Sequence, residues 1–586
     1  MEKRAVIAIA ISFLILLGWS YIFPPPKPVE PQLPPSVEQQ PGGVPAEPYR
    51  ARQPDAPPDA EGDETTPSTE PSEQDSPALS AAQVEEIVVD NGRFRAVLTN
   101  RGAAAVSWRL HEYTSGNDRP LELIAAYEGD IVQPLSLELD DPGLKDALNT
   151  ALYEVERLTV SSPTGGGDGD RITFRWSDGR GLEATKSFTF WRDEWLVDAE
   201  IDVVDRGRRL PARLTVGPGF GAQEKRAGLS TYAYHSQGVW NVAGNVTRRK
   251  SKKLVAQPGS FSARVLWAGL EDQYFAALIL PSADQTLVAW HTLEATALPF
   301  PGVDEDADPP EAASVPLMTV SIPEQGARIF IGPKKYDLLR GLGNEMEKAV
   351  WFATNGFLAW ISKHIFLALL WIHDHTIHNY GLAIILATAL LRILLFPVNQ
   401  YSMVSMKKTQ LQMQRLQPKL KALKAKHKKK DAQSRQKLNE ETMALYKREG
   451  VNPMGGVSGC LPMLAQFPIL IGFYNMLTVA VELRGAPFFG WITDLSAKDP
   501  FWIIPLLMGA TMFIQQKMAM SKVKDPMQAQ QQKIMMFMPF FFTWICLQMP
   551  AGMVLYWFVN NLLGIGQQWL VNRHTGRLEA AAAQKA

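Results

Sequence analysis

Residues 381–400 read GLAIILATALLRILLFPVNQ, an apolar run with one arginine, Arg392, in its middle. About 20 consecutive apolar residues cross a bilayer as a helix, so the stretch reads as a membrane span, and an arginine inside a span is expensive unless something receives it. An ion pair would do so, but the other apolar runs contain no Asp or Glu except Glu482, at the end of its run. Snorkelling carries an arginine only part of the way to an interface. The remaining reading is a water-filled cavity within the bilayer.

Outward from this run, apolar segments recur at 5–23, 460–483, 501–520, 533–549 and 550–572, which with 380–401 make six spans. Lys and Arg near span ends collect on the cytoplasmic side. Segment 402–450 carries fourteen of them against Asp431, Glu440, Glu441 and Glu449, and 521–533 carries Lys522, Lys524 and Lys533 against Asp525. Both loops are therefore expected in the cytoplasm, with the balanced loop 484–500 outside and both termini inside. The first run, 5–23, follows Lys3 and Arg4 and ends in Trp19, Tyr21 and Phe23 without a small-x-small cleavage site, so it reads as an uncleaved anchor.

Between the anchor and the arginine-bearing run lie two unlike stretches. Residues 24–82 hold sixteen prolines, eleven acids and one aromatic, Tyr49. Such a composition cannot bury enough apolar surface to offset ordering, so a disordered Pro-rich acidic linker is expected. Residues 83–340 instead contain short β-branched and aromatic runs: IVVD and RFRAVLTN around Asn91-Gly92, RITFRW, KSFTFW, WLVDAEIDVV, ARVLWAGL, YFAALIL, TLVAWHTL and RIFIG. Asn-Gly between alternating runs predicts a hairpin with a type I′ turn, and many strands without a βαβ rhythm predict an antiparallel sandwich outside the membrane. Segment 341–379 mixes charge with Trp351, Phe352, Phe357, Trp360, Phe366 and Trp371, the pattern of an amphipathic helix in the interface. The expected division is anchor 1–23, linker 24–82, β domain 83–340, interfacial segment 341–379, five-span core 380–572 and cytoplasmic tail 573–586.

Thr388, Arg392 and Asn399 fall on one face at 3.6 residues per turn. In the last span Tyr556, Asn560 and Gln567 form one polar stripe and Trp557, Asn561 and Gln568 the next; Gln466, Gln515 and Gln516 add further polar groups. Hydrogen bonds that glue a bundle would account for any single Asn or Gln. The arginine favours a hydrophilic groove, lined by Arg392, Thr388, Asn399, Gln466, Tyr556, Trp557 and Asn560. Segment 402–449 reads as a cytoplasmic helical hairpin bearing Lys407, Lys408, Arg415 and Lys419. It has no interleaved aromatics for base stacking, so its charge suits anionic lipid or ribosomal RNA without specific nucleic-acid readout.

His373, Asp374, His375 and His378 have metal-like spacing only loosely, and no HExxH, GxSxG, Walker A or GxGxxG occurs in suitable context. No catalytic residue, metal or cofactor is assigned. The two cysteines, Cys460 and Cys546, lie at opposite membrane faces and cannot pair.

Several stretches together resemble the YidC/Oxa/Alb membrane protein insertase family in its Gram-negative form: FPVNQ after the arginine-bearing span, MQRLQPKLKALK, EETMALYKREGVNPMGG, CLPMLAQFPILIGFYNML, DPMQAQQQKIMMFMPFFFTW and PAGMVLYWFVNNLLGIGQQ. The resemblance covers roughly 350–572; the anchor, linker and β domain match by layout. It implies a non-enzymatic insertase and chaperone of the inner membrane, acting alone or with the Sec translocon, whose groove opens to cytoplasm and lipid and holds Arg392 in water. It further implies a β-supersandwich fold for the periplasmic domain. The partners implied are nascent integral membrane proteins, the Sec translocon with its accessory subunits, the ribosome and the signal recognition particle receptor. Where relatives often carry Tyr-Tyr in the last span, this chain has Tyr556-Trp557. The competing readings are a transporter or channel with Arg392 as its substrate site, and a receptor whose β domain binds ligand; neither an inverted repeat nor an external polar cluster supports them.

Overall fold

The alternating runs between 83 and 340 become antiparallel strands in the computed structural model, which describes residues 77–584 except 116–118, 126, 128, 130–131, 162–166, 223–235, 297–311, 354, 428–431, 449–460 and 521–525. The anchor, nearly all of the linker and Cys460 lie outside the described residues. Among those described, Glu86–Asp90 pairs with Phe94–Thr99 as the expected hairpin, but its turn sits one residue later than Asn91-Gly92 suggests. Asn91 N–H donates to Phe94 O (3.2 Å), leaving Gly92-Arg93 as the loop. Gly92 has φ 91° while Arg93 is not left-handed, the pattern of a type II′ rather than a type I′ turn. Asn91 instead accepts from Arg93 and Phe94 N–H through its side chain (3.0 and 3.1 Å), which fixes the turn where it is.

Three antiparallel sheets follow among the described residues. A ten-stranded sheet runs from Asn245–Lys250 at one edge, through Phe275–Pro281, Ala327–Pro333 and Leu196–Asp205, to Glu154–Ser161 at the other. A five-stranded sheet contains Thr286–Thr296 and Ala312–Ser321, and a four-stranded sheet begins with the hairpin. The four-stranded sheet meets the large one through Phe94, stacked on Trp108 at 4.4 Å and edge-on to Phe190 at 6.3 Å. At the same junction Lys186 is fully buried, its Nζ donating to the carbonyls of Gly102 (2.9 Å), Ala103 (2.6 Å) and Leu135 (2.6 Å). Burial pushes this ammonium down to about 7, because no carboxylate accompanies it.

Ten α-helices are described. In the β-rich part, α1 (Pro142–Thr150) is capped by Asp141, whose carboxylate accepts from Gly143 and Leu144 N–H; α2 is Ser251–Ala256 and α3 Tyr336–Leu342. The helical part contains α4 (Gly356–His375), α5 (Tyr380–Lys426), α6 (Ala432–Arg448), α7 (Leu461–Val479), α8 (Ile503–Ala519), α9 (Pro526–Cys546) and α10 (Ala551–Gln584). Several bounds differ from the sequence reading. The span expected at 380–401 and the first arm of the hairpin are one 47-residue helix, α5, which passes through Pro397 and Pro418 without ending. Helix α7 stops at Val479, and Glu482 belongs to a separate 3-10 turn. Helix α9 begins at Pro526, inside the expected loop, and α10 extends through most of the expected tail. The polar extensions stay helical although one carries Pro418 and another Gly576, so the apolar run ends before the helix does. Helices α4 and α5 are long and apolar enough to cross a membrane; Pro468–Val479 and Met535–Cys546 are shorter apolar stretches.

A charged lock joins the two parts. Glu271, fully buried, accepts from Arg248 Nε (2.7 Å) and Gln237 Nε2 (2.9 Å) on one oxygen and from Lys334 Nζ (3.2 Å) on the other. Arg248 Nη2 also donates to the carbonyls of Lys348 and Ala349 (2.9 Å each), in the segment leading to α4. Nearby, Tyr336 N–H donates to Glu482 Oε1 (3.2 Å), Gln273 Nε2 donates to Thr478 O, and the Arg484 guanidinium lies 5.4 Å over the Phe275 ring.

Candidate functional site

The loop after α7 gathers the starts of three helices. Asn379 caps α5 by accepting from Leu382 N–H (3.0 Å) while its Nδ2 donates to the carbonyls of Pro487 and Phe488 (3.1 Å each). Asp499, buried, accepts from Phe501 N–H, Ile504 N–H at the head of α8, and Trp491 Nε1. Ala551 and Gly552, at the head of α10, donate to Ala497 O (2.6 Å) and Leu495 O (2.9 Å). From this common level a rise of about 1.5 Å per residue carries Arg392, Gln515 and Gly564 to the same depth, about 18–20 Å along their helices.

At that depth the Arg392 side chain crosses from α5 to α10, its Nη2 donating to Asn560 O at 3.1 Å. The sequence offers no side-chain partner for this arginine, and what receives it is a main-chain carbonyl. Its Nε is buried with no hydrogen-bond partner among the described residues, as are Asn399 Nδ2 and Gln400 Oε1 further along the same helix. Gln567 Nε2 donates to Phe396 O (3.4 Å), so the Asn560–Gln567 stripe of α10 faces α5.

The second stripe has a different use. Asn561 Nδ2 donates to Met508 O (3.4 Å) and Asn572 Nδ2 to Met518 O (3.2 Å), binding α10 to α8. Gln516 Nε2 similarly donates to Met535 O (2.8 Å), joining α8 to α9. Trp557 packs on Phe542 of α9 with centroids 5.4 Å apart. These groups act as interhelical glue.

Toward the loop side the helices close. Thr388 is buried and donates to Ile384 O (2.6 Å) of its own helix, so its hydroxyl is satisfied there rather than shared with Arg392. Tyr556 is buried and stacks on Phe473 of α7 at 4.2 Å and 13°. Met476 on α7 and Met553 and Val554 on α10 are buried as well. The apolar side chains left exposed lie on the opposite faces, including Ile393 and Leu394 of α5, and Phe537, Phe540 and Trp544 of α9. The structure thus brings Arg392 to Asn560 at the contact of α5 with α10, buries Asn399 further along α5, and puts Thr388 and Tyr556 in the closed packing above. The side chain of Gln466 lies outside the described residues.

Helices α5 and α6 form the expected hairpin, held where Glu441 meets Lys426 (3.5 Å) and His427 (3.1 Å). Lys419 is exposed on it; the side chains of Lys407, Lys408 and Arg415 lie outside the described residues. The histidine cluster at the end of α4 is engaged in ring contacts: His373 stacks on Tyr380 at 3.8 Å and bonds Asp374 (2.8 Å), and His375 stacks on Trp371. Among the described residues no group of three or more His, Cys, Asp or Glu could hold a metal ion. Cys546 is buried and free.

Sequence reasoning found the arginine and counted Gln515 among the polar groups, but missed Gly564 beside them. The signal was present only as a glycine within an apolar span, which by itself has many meanings.

Comparison with known proteins places both parts. The family model described as the 60Kd inner membrane protein matches residues 371–578, and the model described as the YidC periplasmic domain matches residues 86–368. The membrane protein insertase YidC of Syntrophus aciditrophicus is 33% identical over 590 residues, covering 98% of this chain and 100% of that one. That of Geobacter metallireducens is 33% identical over 584 residues, covering 99% and 100%. A solved structure of an active YidC insertase with its first transmembrane domain resolved aligns at 19% identity with a TM-score of 0.33, covering 84% of this chain and 94% of that one. With two family models spanning the β-rich and helical parts, and full-length relatives above 30% identity, the chain belongs to the YidC family of inner-membrane protein insertases, with a β-rich periplasmic domain and a helical C-terminal region.

Proposed function

We infer that this insertase works through a hydrophilic groove between α5 and α10, open to the cytoplasm and closed toward the periplasm. The observation that carries this reading is Arg392, held inside the bundle with its Nε, Asn399 Nδ2 and Gln400 Oε1 lacking protein partners among the described residues. In hydrocarbon each such group costs several kcal/mol, whereas water beside them removes the penalty. Family membership removes the reason for the transporter reading. A client's short polar tail would enter the groove from the cytoplasm while its apolar span lies against the exposed aromatic face of α9. Transfer of that span into lipid supplies the driving force, and the membrane potential adds to it for acidic tails.

Charge and the contacts of α4 support a topology. The β domain is upstream of α4 and the basic hairpin is downstream of the α5 span. If α4 crossed the membrane, the β domain and the hairpin would lie on one side, against the positive-inside rule. Its first half meets the β-domain side through Lys363, whose ammonium lies 5.4 Å over the Tyr336 ring, and its last turn meets the head of α5 through His373. Both ends thus belong to the outer level, and α4 lies along the interface with Trp360 and Trp371 exposed. Counting 5–23, α5 and α7 to α10 gives six spans with both termini cytoplasmic. The β domain is read as a supersandwich. The partners proposed are nascent integral membrane proteins, the Sec translocon, the ribosome and signal recognition particle receptor near the hairpin, and anionic lipid. No cofactor, metal or nucleotide enters the mechanism.

The test is reconstitution of the purified chain alone into liposomes, with protease protection of a newly synthesised single-span client bearing an acidic tail. Protection well above that in protein-free liposomes is expected; background protection, where another insertase succeeds, would refute autonomous insertion.

A further inference from the structure

Two glycines, Gly564 and Gly566, lie within α10 at the level of the groove, and glycine weakens a helix relative to alanine. Their surroundings differ. A Cβ on Gly566 would meet nothing within 4 Å. A Cβ on Gly564 would fall 2.4 Å from Gln515 Nε2 and 2.7 Å from Arg392 Nη2. The same Nη2 donates to Asn560 O, the carbonyl one helical turn before Gly564 and the usual acceptor of the Gly564 N–H. The guanidinium therefore reaches the helix backbone through the space that a side chain at 564 would fill.

We propose that Gly564 is a positioning residue of the groove: its missing side chain gives the Arg392 guanidinium a seat on α10, and that seat fixes where the groove's positive charge stands. Close packing of α8 on α10 is the alternative use of a small residue here. Against it, the atoms nearest the absent Cβ are the far ends of two flexible polar side chains, not the backbone of α8. An alanine at 564 is thus compatible with the helix contact and acts by displacing Gln515 and Arg392. With Nη2 held by Asn560 O, the remaining donors of Arg392 keep one orientation toward an entering tail; without the seat, a long side chain samples many.

The inference rests on the groove reading, and the test separates the two. Full-length protein in liposomes is assayed with two clients that differ only in an acidic or a neutral tail, and the ratio of their protected fractions is read. Gly564→Ala should lower the acidic-to-neutral ratio about threefold or more and leave neutral-tail insertion within about twofold, while Gly566→Ala leaves both unchanged. In an Arg392→Gln background, Gly564→Ala should lower the ratio no further. An unchanged or raised ratio in Gly564→Ala, or an equal fall with Arg392 already replaced, overturns the seat. If Arg392→Gln by itself leaves the ratio unchanged, the groove reading fails first and the seat with it. Loss of both clients together in Gly564→Ala, with a lowered melting temperature, assigns the glycine to packing and also overturns the proposal.

Discussion

Arg392→Glu is expected to cut insertion of an acidic-tailed single-span client at least tenfold in the reconstituted system, with a much smaller loss for a neutral tail. The arginine is the only Lys or Arg in the 381–400 run, and it stands at the level where α5, α8 and α10 converge. At an effective dielectric of about 20, two unit charges about 4 Å apart interact by roughly 4 kcal/mol, and reversing the sign turns that attraction into repulsion. Water in the groove screens part of this, but about 1.4 kcal/mol suffices for a tenfold change. The substitution also sets a carboxylate toward Asn560 O, where the guanidinium now donates. Arg392→Gln separates these effects: it removes the charge and keeps a donor for the carbonyl, so the preference for acidic tails should vanish while the protein folds normally. Equal insertion of both clients by all three proteins would remove charge from the account.

Glu271→Gln should destabilise the β domain by about 3–5 kcal/mol, because it leaves two cations buried without their counter-charge. Glu271 is fully buried between Arg248 and Lys334, which are themselves nearly buried. Burial alone would raise its pKa, yet the two cations hold the carboxyl below its ordinary value. A depressed carboxylate contributes stability that is complete above the unfolded value of about 4.3 and is lost as pH falls through the lower folded value. The gap between wild type and Glu271→Gln should therefore be full at neutral pH and shrink in acid below about pH 4, read by thermal unfolding. Arg248 also holds the Lys348 and Ala349 carbonyls, so the variant should expose residues 343–350 to proteolysis before the core of the domain. A pH-independent gap, or none, would show that the lock contributes no charge-dependent stability.

What the sequence made legible was whatever rests on local pattern. The strand runs RITFRW, KSFTFW and RIFIG lie within strands, as does YFAALIL after its Tyr274, and the hairpin from 86 to 99 is present, since alternation and β-branching report directly on a half-buried pleated surface. Missed features depend on contacts remote in sequence or on main-chain atoms. The turn moved to Gly92-Arg93 because the Asn91 side chain binds the loop, a detail that Asn-Gly does not reveal. Helices α5 and α10 outlast their apolar runs, and α9 begins before its own, because polar residues propagate a helix as readily as apolar ones once it is nucleated. At the site, Arg392 stood out by charge, but its seat on Asn560 O and the opening at Gly564 required three helices in register. Thr388 shares a face with Arg392 by spacing, yet its hydroxyl is taken by Ile384 O, a common use of a helical threonine.

The most direct measurement asks which side of the membrane wets each end of α5. In a background carrying Cys460→Ser and Cys546→Ala, single variants Asn399→Cys and Thr388→Cys are treated with a membrane-impermeant maleimide in sealed vesicles of both orientations. The groove reading predicts that Asn399→Cys is labelled from the cytoplasmic face, and that Thr388→Cys, under the Tyr556–Phe473 stack, is labelled from neither. Labelling of either position from the periplasmic face, or no labelling of Asn399→Cys from the cytoplasm, would contradict a groove open inward and closed outward.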